Sequence, residues 1–290
     1  MKTNAIIRIV LFSITILVLL GILGIGLGIG ALSANFGSHW EEIVTTEQGQ
    51  LVFPGESSVS EEGYAFDAAA IRDLKIEWAA GSITIQPIDT DSIEVLEYGS
   101  GDPMVCRREG DKLVIKFDNV DIHFGITINY SKDLVINVPR GWVCDSLEID
   151  AASADVDVTG LEIREVDFDG ASGVCTFTDC TVDEMDVDTA SGDINFEGAL
   201  NTLECDAASA DCTLVLYNTP KRIDMDCASG DLDITLPASS GFTVTMDGLS
   251  TDFNSDFNFT RSNGRYVCGD GSCRIEIDAM SGDLVIRKGE

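Results

Sequence analysis

A segment of about a dozen residues returns along this chain, and a self-repeating chain must build its core from neighbouring copies. LEIDAASADVDV begins at Leu147, VDFDGASGVCTF at Val166 and MDVDTASGDINF at Met185. LECDAASADCTL begins at Leu203, IDMDCASGDLDI at Ile223 and IEIDAMSGDLVI at Ile275. A degenerate copy, FTVTMDGLSTDF, begins at Phe242, and an earlier echo, LKIEWAAGSITI, at Leu74. The serines Ser153, Ser172, Ser191, Ser209, Ser229, Ser250 and Ser281 mark the period, with steps of 19, 19, 18, 20, 21 and 31 residues.

Apolar and polar residues alternate on both sides of each serine. In the first copy Leu147, Ile149 and Ala151 take one side and Glu148 and Asp150 the other; past the serine, Val156 and Val158 are apolar while Asp155 and Asp157 are polar. A period of two marks a strand with one buried face. Each unit therefore reads as strand, tight bend, strand, and buries too little by itself to be stable. The expected fold is all-β, a β-solenoid of roughly 19-residue two-strand coils whose strands pair at about 4.8 Å. Five compact coils would rise on the order of 24 Å. A sandwich of hairpins is the alternative. The long final step has room for an inserted hairpin, with Asn263-Gly264-Arg265 as its turn.

Ahead of the repeats, Lys2 and Arg8 precede an uncharged run from Ile9 to Leu32. As a helix it would be roughly 36 Å long, enough to cross a bilayer core of about 30 Å. A cleaved secretory signal is the other reading, but its apolar region is usually only about 7 to 15 residues, and Ala31-Leu32-Ser33 is a weak cleavage sequence. With positive charge before the run and Glu41 and Glu42 after it, the N-terminus stays cytoplasmic and the remainder is exported. The expected division is a cytoplasmic N-terminus at 1–8, a transmembrane helix at 9–32, an extracytoplasmic stalk at 33–70 and the repeat domain at 71–290. Gly24/Gly28 and Gly26/Gly30 have the small-xxx-small spacing that brings membrane helices together, so a homodimer through this helix is one expectation.

Eighteen Lys and Arg against 50 Asp and Glu give a net charge of -32. Such a surface repels nucleic-acid phosphates and anionic headgroups, which excludes nucleic acid as a partner. Much of the charge is periodic. An aspartate stands three residues before each marking serine, at Asp150, Asp169, Asp188, Asp206, Asp226, Asp247 and Asp278. A second stands two residues after it, at Asp155, Asp193, Asp211, Asp231, Asp252 and Asp283, with Val174 the exception. Turn chemistry accounts for this: Asp and Ser side chains accept hydrogen bonds from nearby backbone N–H groups, and Gly permits positive φ. The sharper alternative places Ca²⁺ between rungs, held by Asp150, Asp155, Asp188, Asp193, Asp206, Asp211, Asp226 and Asp231, since hard cations favour several oxygen ligands. No calcium-binding nonapeptide or EF-hand pattern supports it.

Nine cysteines leave at least one unpaired within the chain. Cys175, Cys205, Cys212 and Cys227 occupy repeat positions filled elsewhere by small or apolar residues and read as core hydrophobes. Cys268 and Cys273 flank Gly269-Asp270-Gly271-Ser272; a hairpin closed there would set them opposite one another as a disulfide candidate, with two free thiols as the alternative. No Cys-x-x-Cys pair suggests zinc. No catalytic residues are assigned. The two histidines are His39, in the stalk, and His123; Gly170-Ala171-Ser172-Gly173 lacks the spacing and strand–helix setting of a nucleophile elbow.

The (A)SGD(I/L)xI units, the membrane anchor and the strand-ending Val138-Pro139 and Leu236-Pro237 together resemble the bacterial putative-adhesin family of β-strand-repeat proteins, a LiaG-like domain of unknown function. The resemblance covers roughly residues 70 to 288. It implies an exported β-solenoid, sometimes tied to envelope-stress systems, with no established catalytic residues. The expected function is a membrane-anchored extracytoplasmic, non-catalytic surface scaffold or adhesin-like interaction module, meeting an envelope protein or surface ligand. The second reading is an accessory or regulatory component of a bacterial cell-envelope stress-sensing system. A polysaccharide-acting enzyme is disfavoured, because Lys and Arg to hold an acidic substrate are scarce.

Overall fold

The computed structural model describes residues 58–60, 63–117 and 131–289. The apolar run at 9–32, the first part of the stalk and both histidines lie outside the described residues. Among those described, every element is a strand except a three-residue 3-10 turn at Ala68–Ala70. No helix there is long and apolar enough to cross a membrane.

The coil anatomy follows from the alternating pattern. Val143–Thr159 runs through its bend as one extended strand, whereas in later coils one strand ends at the serine and the next begins just beyond it, as at Ser172 and Cys175 or Ser209 and Cys212, which is the expected strand, bend, strand. Leu147, Ile149 and Ala151 are buried before the serine, and Ala154, Val156 and Val158 after it. The step from 151 to 154 shifts the alternation by one residue. As the chain turns, its apolar side therefore stays inside, and each coil encloses core between two walls.

Neighbouring coils pair in parallel and in register. Ser153 lies opposite Ser172, Ser191 opposite Ser209, Ser209 opposite Ser229 and Ser229 opposite Ser281. One inward row on the first wall runs Ile76, Ile149, Phe168, Val187, Cys205, Met225, Ile277, Met246. Its eight members span seven strand spacings, roughly 34 Å, so the stack is taller than five coils imply. Its order also departs from the chain. Cys273–Ser281 pairs with Arg222–Ser229 on one side and with Phe242–Ser250 on the other. The last coil in sequence thus sits inside the stack, and the degenerate copy at 242–255 is outermost.

Both ends are closed by antiparallel strands, which limit the open edge that stacked coils leave. At the first end, Lys112–Lys116 and Lys132–Pro139 form a coil parallel to Asp73–Ile88. Val105–Glu109 then pairs antiparallel with Lys112–Lys116, and Ser92–Gly99 with Lys132–Pro139. Gly63–Asp67, expected in the stalk, instead pairs with Ser92–Gly99, because Phe66 and Ala68 bury their side chains in this cap. Lys132 is buried too, its ammonium held by Glu97 and by the carbonyls of Asp102 and Phe117, over the Trp78 and Phe117 rings. At the other end, Thr260–Ser262 and Arg265–Cys268 form the expected hairpin around Asn263-Gly264, both with positive φ (52° and 79°).

That hairpin overturns the Cys268–Cys273 geometry. Arg265–Cys268 packs on one edge of Phe242–Ser250 and Cys273–Ser281 on the other, so both cysteines are registered against Phe242 from opposite sides. Two strand spacings, about 9.6 Å, exceed the Cα separation of about 4.4–6.8 Å that a disulfide spans. Both thiols are free and buried.

Candidate functional site: an acidic wall

Because the coils stack in register, the aspartates before the serines form a continuous column on the outside of the first wall. It reads Glu77, Asp150, Asp169, Asp188, Asp206, Asp226, Asp278, Asp247. Two residues earlier in each strand a second column lies on the same face: Glu148, Asp167, Asp186, Glu204, Asp224 and Glu276. The repeat motif showed the first column. The second includes glutamates at a position outside the shared core of the motif, and only the register aligns them.

Cations neutralise the two ends of this wall. Lys116 pairs with Glu77, Lys75 with Glu148 and Asp150, and Lys112 with Glu148. The Lys112 and Lys75 ammonium groups hold the Glu148 carboxyl below its usual range. Toward the other end Arg222 meets Asp224 and Glu204, and Arg274 meets Glu276. Between them Asp167, Asp169, Asp186, Asp188 and Asp206 have no lysine or arginine partner among the described residues. Desolvation between the strands, then the charges of Asp150, Asp167 and Asp188 and a hydrogen bond with Asp150, push Asp169 up to about 6. Asp206 is pushed up to about 7 by desolvation, then by Asp226, Asp188, Glu204 and Asp186. Asp186 and Asp188 move the same way for the same reasons. All of these except Asp206 are solvent-exposed, so salt screens their mutual repulsion.

The aspartates after the serines do something different. Asp155 Oδ1 accepts the Val174 N–H at 2.9 Å, and Asp211 Oδ1 that of Asp231 at 2.9 Å. Asp231 Oδ1 accepts the Asp283 N–H at 2.8 Å, and Asp283 Oδ1 that of Asp252 at 3.2 Å. This is the turn chemistry of the sequence reading, realised between coils rather than within one bend. The marking serines are exposed, and none of their hydroxyls makes a hydrogen bond among the described residues. Nor do the two columns converge as calcium ligands: no described group of three or more His, Cys, Asp or Glu could hold a metal ion. Asp155, Asp211 and Asp231 each commit an oxygen to the main chain of the next coil.

The bend itself is tight. A Cβ on Gly282 would lie 1.9 Å from the Gly230 carbonyl oxygen, and one on Gly230 1.9 Å from that of Ala210. The residue after the serine is small because the coils approach backbone to backbone there. The cysteines at repeat positions pack as core hydrophobes: Cys175, Cys205, Cys212 and Cys227 are all buried.

The sequence matches the Toastrack DUF4097 family over residues 71–216, and the chain belongs to that family. Among solved structures it is similar to a putative cell adhesion protein from Clostridium sporogenes ATCC 15579, at 13% identity and a TM-score of 0.35, covering 81% of this chain and 98% of that one. It is also similar to a putative adhesin from Bacteroides fragilis NCTC 9343, at 10% identity and a TM-score of 0.44, covering 79% and 98%. A search of curated protein sequences finds no significant match.

Proposed function

We propose that this chain is a membrane-anchored, extracytoplasmic β-solenoid that serves as a surface scaffold or adhesin-like interaction module and carries out no catalysis. The observation that supports this most is the middle of the acidic wall. Five aligned carboxylates have no lysine or arginine partner among the described residues, and several already resist ionisation. A partner that brings ammonium or guanidinium groups would relieve that cost on binding. In this reading the helix at 9–32 holds the module at the membrane with its N-terminus in the cytoplasm, and the partner is an envelope protein or surface ligand. Membership of the Toastrack family is consistent with the reading and brings no activity of its own.

The test compares full-length wild type with Asp167→Asn/Asp186→Asn/Asp188→Asn as bait for crosslinking in intact membranes. Partners crosslinked by the wild type should be lost from the triple variant. Identical crosslinked sets would remove the acidic wall from the proposal. Replacing residues 9–32 by an unrelated membrane helix separates adhesion from stress sensing. Adhesion survives that exchange, whereas an accessory signalling through helix contacts fails.

A further inference from the structure

One coil places two cysteines where its neighbours place larger apolar side chains. Cys205 points inward from the first wall and Cys212 from the second, across the bend that carries Asp206 to Asp211. The corresponding residues are Val187 and Ile194 in the coil before, Met225 and Leu232 in the coil after. The two sulfurs are in contact at 3.9 Å. No other pair of cysteines among the described residues is in sulfur–sulfur contact. Cys227 lies against Ala207 on the same wall, beside the pair rather than across from it.

We propose that Cys205 and Cys212 are a disulfide-forming pair that staples the bend of the central coil. A disulfide requires about 2.05 Å between sulfurs, so the two must close by less than 2 Å. The oxidant is a low-molecular-weight disulfide. The thiolate of one cysteine attacks it and expels one small thiolate; the second cysteine then displaces the other. Two protein thiols are oxidised to one cystine, the small disulfide is reduced to two thiols, and the two cysteine protons pass to the departing thiolates. In the folded reduced coil both residues are sealed in the core, and the Cys205 thiol is pushed up by its neighbour Cys212 and by burial. Exchange therefore takes place while the coil is still open, during folding, and the closed staple is then protected from reductant.

The full-length chain in detergent is denatured in urea and refolded in parallel with oxidised and reduced glutathione or with reductant alone. It is then alkylated in denaturant and cleaved before aspartates. Cleavage at Asp206 and Asp211 separates the two cysteines, so the staple appears as peptide 193–205 linked to peptide 211–223. The linked pair should dominate the oxidised sample, with a higher melting temperature than the reduced one. Cys205→Val/Cys212→Ile, which repeats the side chains of the preceding coil, should fold and show no dependence on oxidant. Recovery of both cysteines as alkylated residues after oxidative refolding would overturn the proposal, as would predominant linkage of Cys205 to Cys227. The peptide assignment is made on the unsubstituted chain, so it decides the matter whether or not the variant folds.

Discussion

Two aspartates of one coil illustrate how position decides what a residue does. Asp206 stands in a column of like charges with its carboxyl raised to about 7, so ionising it costs free energy in the folded state. Asp206→Asn should raise the melting temperature more at pH 8 than at pH 5, where the folded carboxyl is protonated and only the unfolded one, with its ordinary value of 3.8, is ionised. Thermal melts at the two pH values check this, and an equal gain at both would point to another cause. Asp211 accepts the Asp231 N–H of the next coil, and Asp231 in turn accepts that of Asp283. Asp211→Ala should therefore destabilise, by about 1 kcal/mol for one lost hydrogen bond. The same side chain thus carries opposite signs on the two sides of one serine.

At the scale of the element, the bend sets the tolerances. Gly282 has φ of 151°, and a Cβ there would press on the Gly230 carbonyl oxygen. Gly282→Ala should cost about 1–3 kcal/mol, the usual range for a residue forced into such backbone, read as a lower urea midpoint. Gly264, in the hairpin turn, also has positive φ but has no atom within 4 Å of an added Cβ; its alanine variant should lose less. Both the bend and the hairpin turn were legible in the sequence, since the small residues and the Asn-Gly pair report local backbone geometry. The pairing of Arg265–Cys268 was not legible. A turn at Gly269–Ser272 is compatible with a simple hairpin, and only the strand between the two cysteines shows that they do not meet.

For the molecule as a whole, the acidic wall links stability to proton concentration. Asp169 and Asp206 titrate near 6 and 7 when folded, against an ordinary value of 3.8, and Asp186 and Asp188 are raised as well. Between about pH 4 and 7 the folded chain thus binds more protons than the unfolded one, so stability rises as pH falls through that window. The melting temperature should increase from pH 8 to pH 5, and sodium chloride should raise it more at pH 8 than at pH 5. EDTA should leave it unchanged, because Asp155, Asp211, Asp231 and Asp283 already accept main-chain N–H groups of neighbouring coils; a marked drop would revive cations between the rungs. Removal of residues 273–290 provides a separate test of the stacking order. With coils stacked as in the sequence it would trim one end, but here it removes a coil from the interior, so cooperative melting should be lost.

The repeat, the inward and outward faces, the bend and one column of aspartates can all be read along the chain. Each of these is a local property, dictated by the period of two along a strand and the backbone freedom of small residues. Which coils are neighbours emerges only on folding, and with it that the last coil lies inside the stack, that a second acidic column aligns beside the first and that Cys205 meets Cys212. The reason is physical: coils built to one pattern present nearly equivalent edges to one another. The choice between them rests on long-range pairing and core packing, which no short stretch of sequence records.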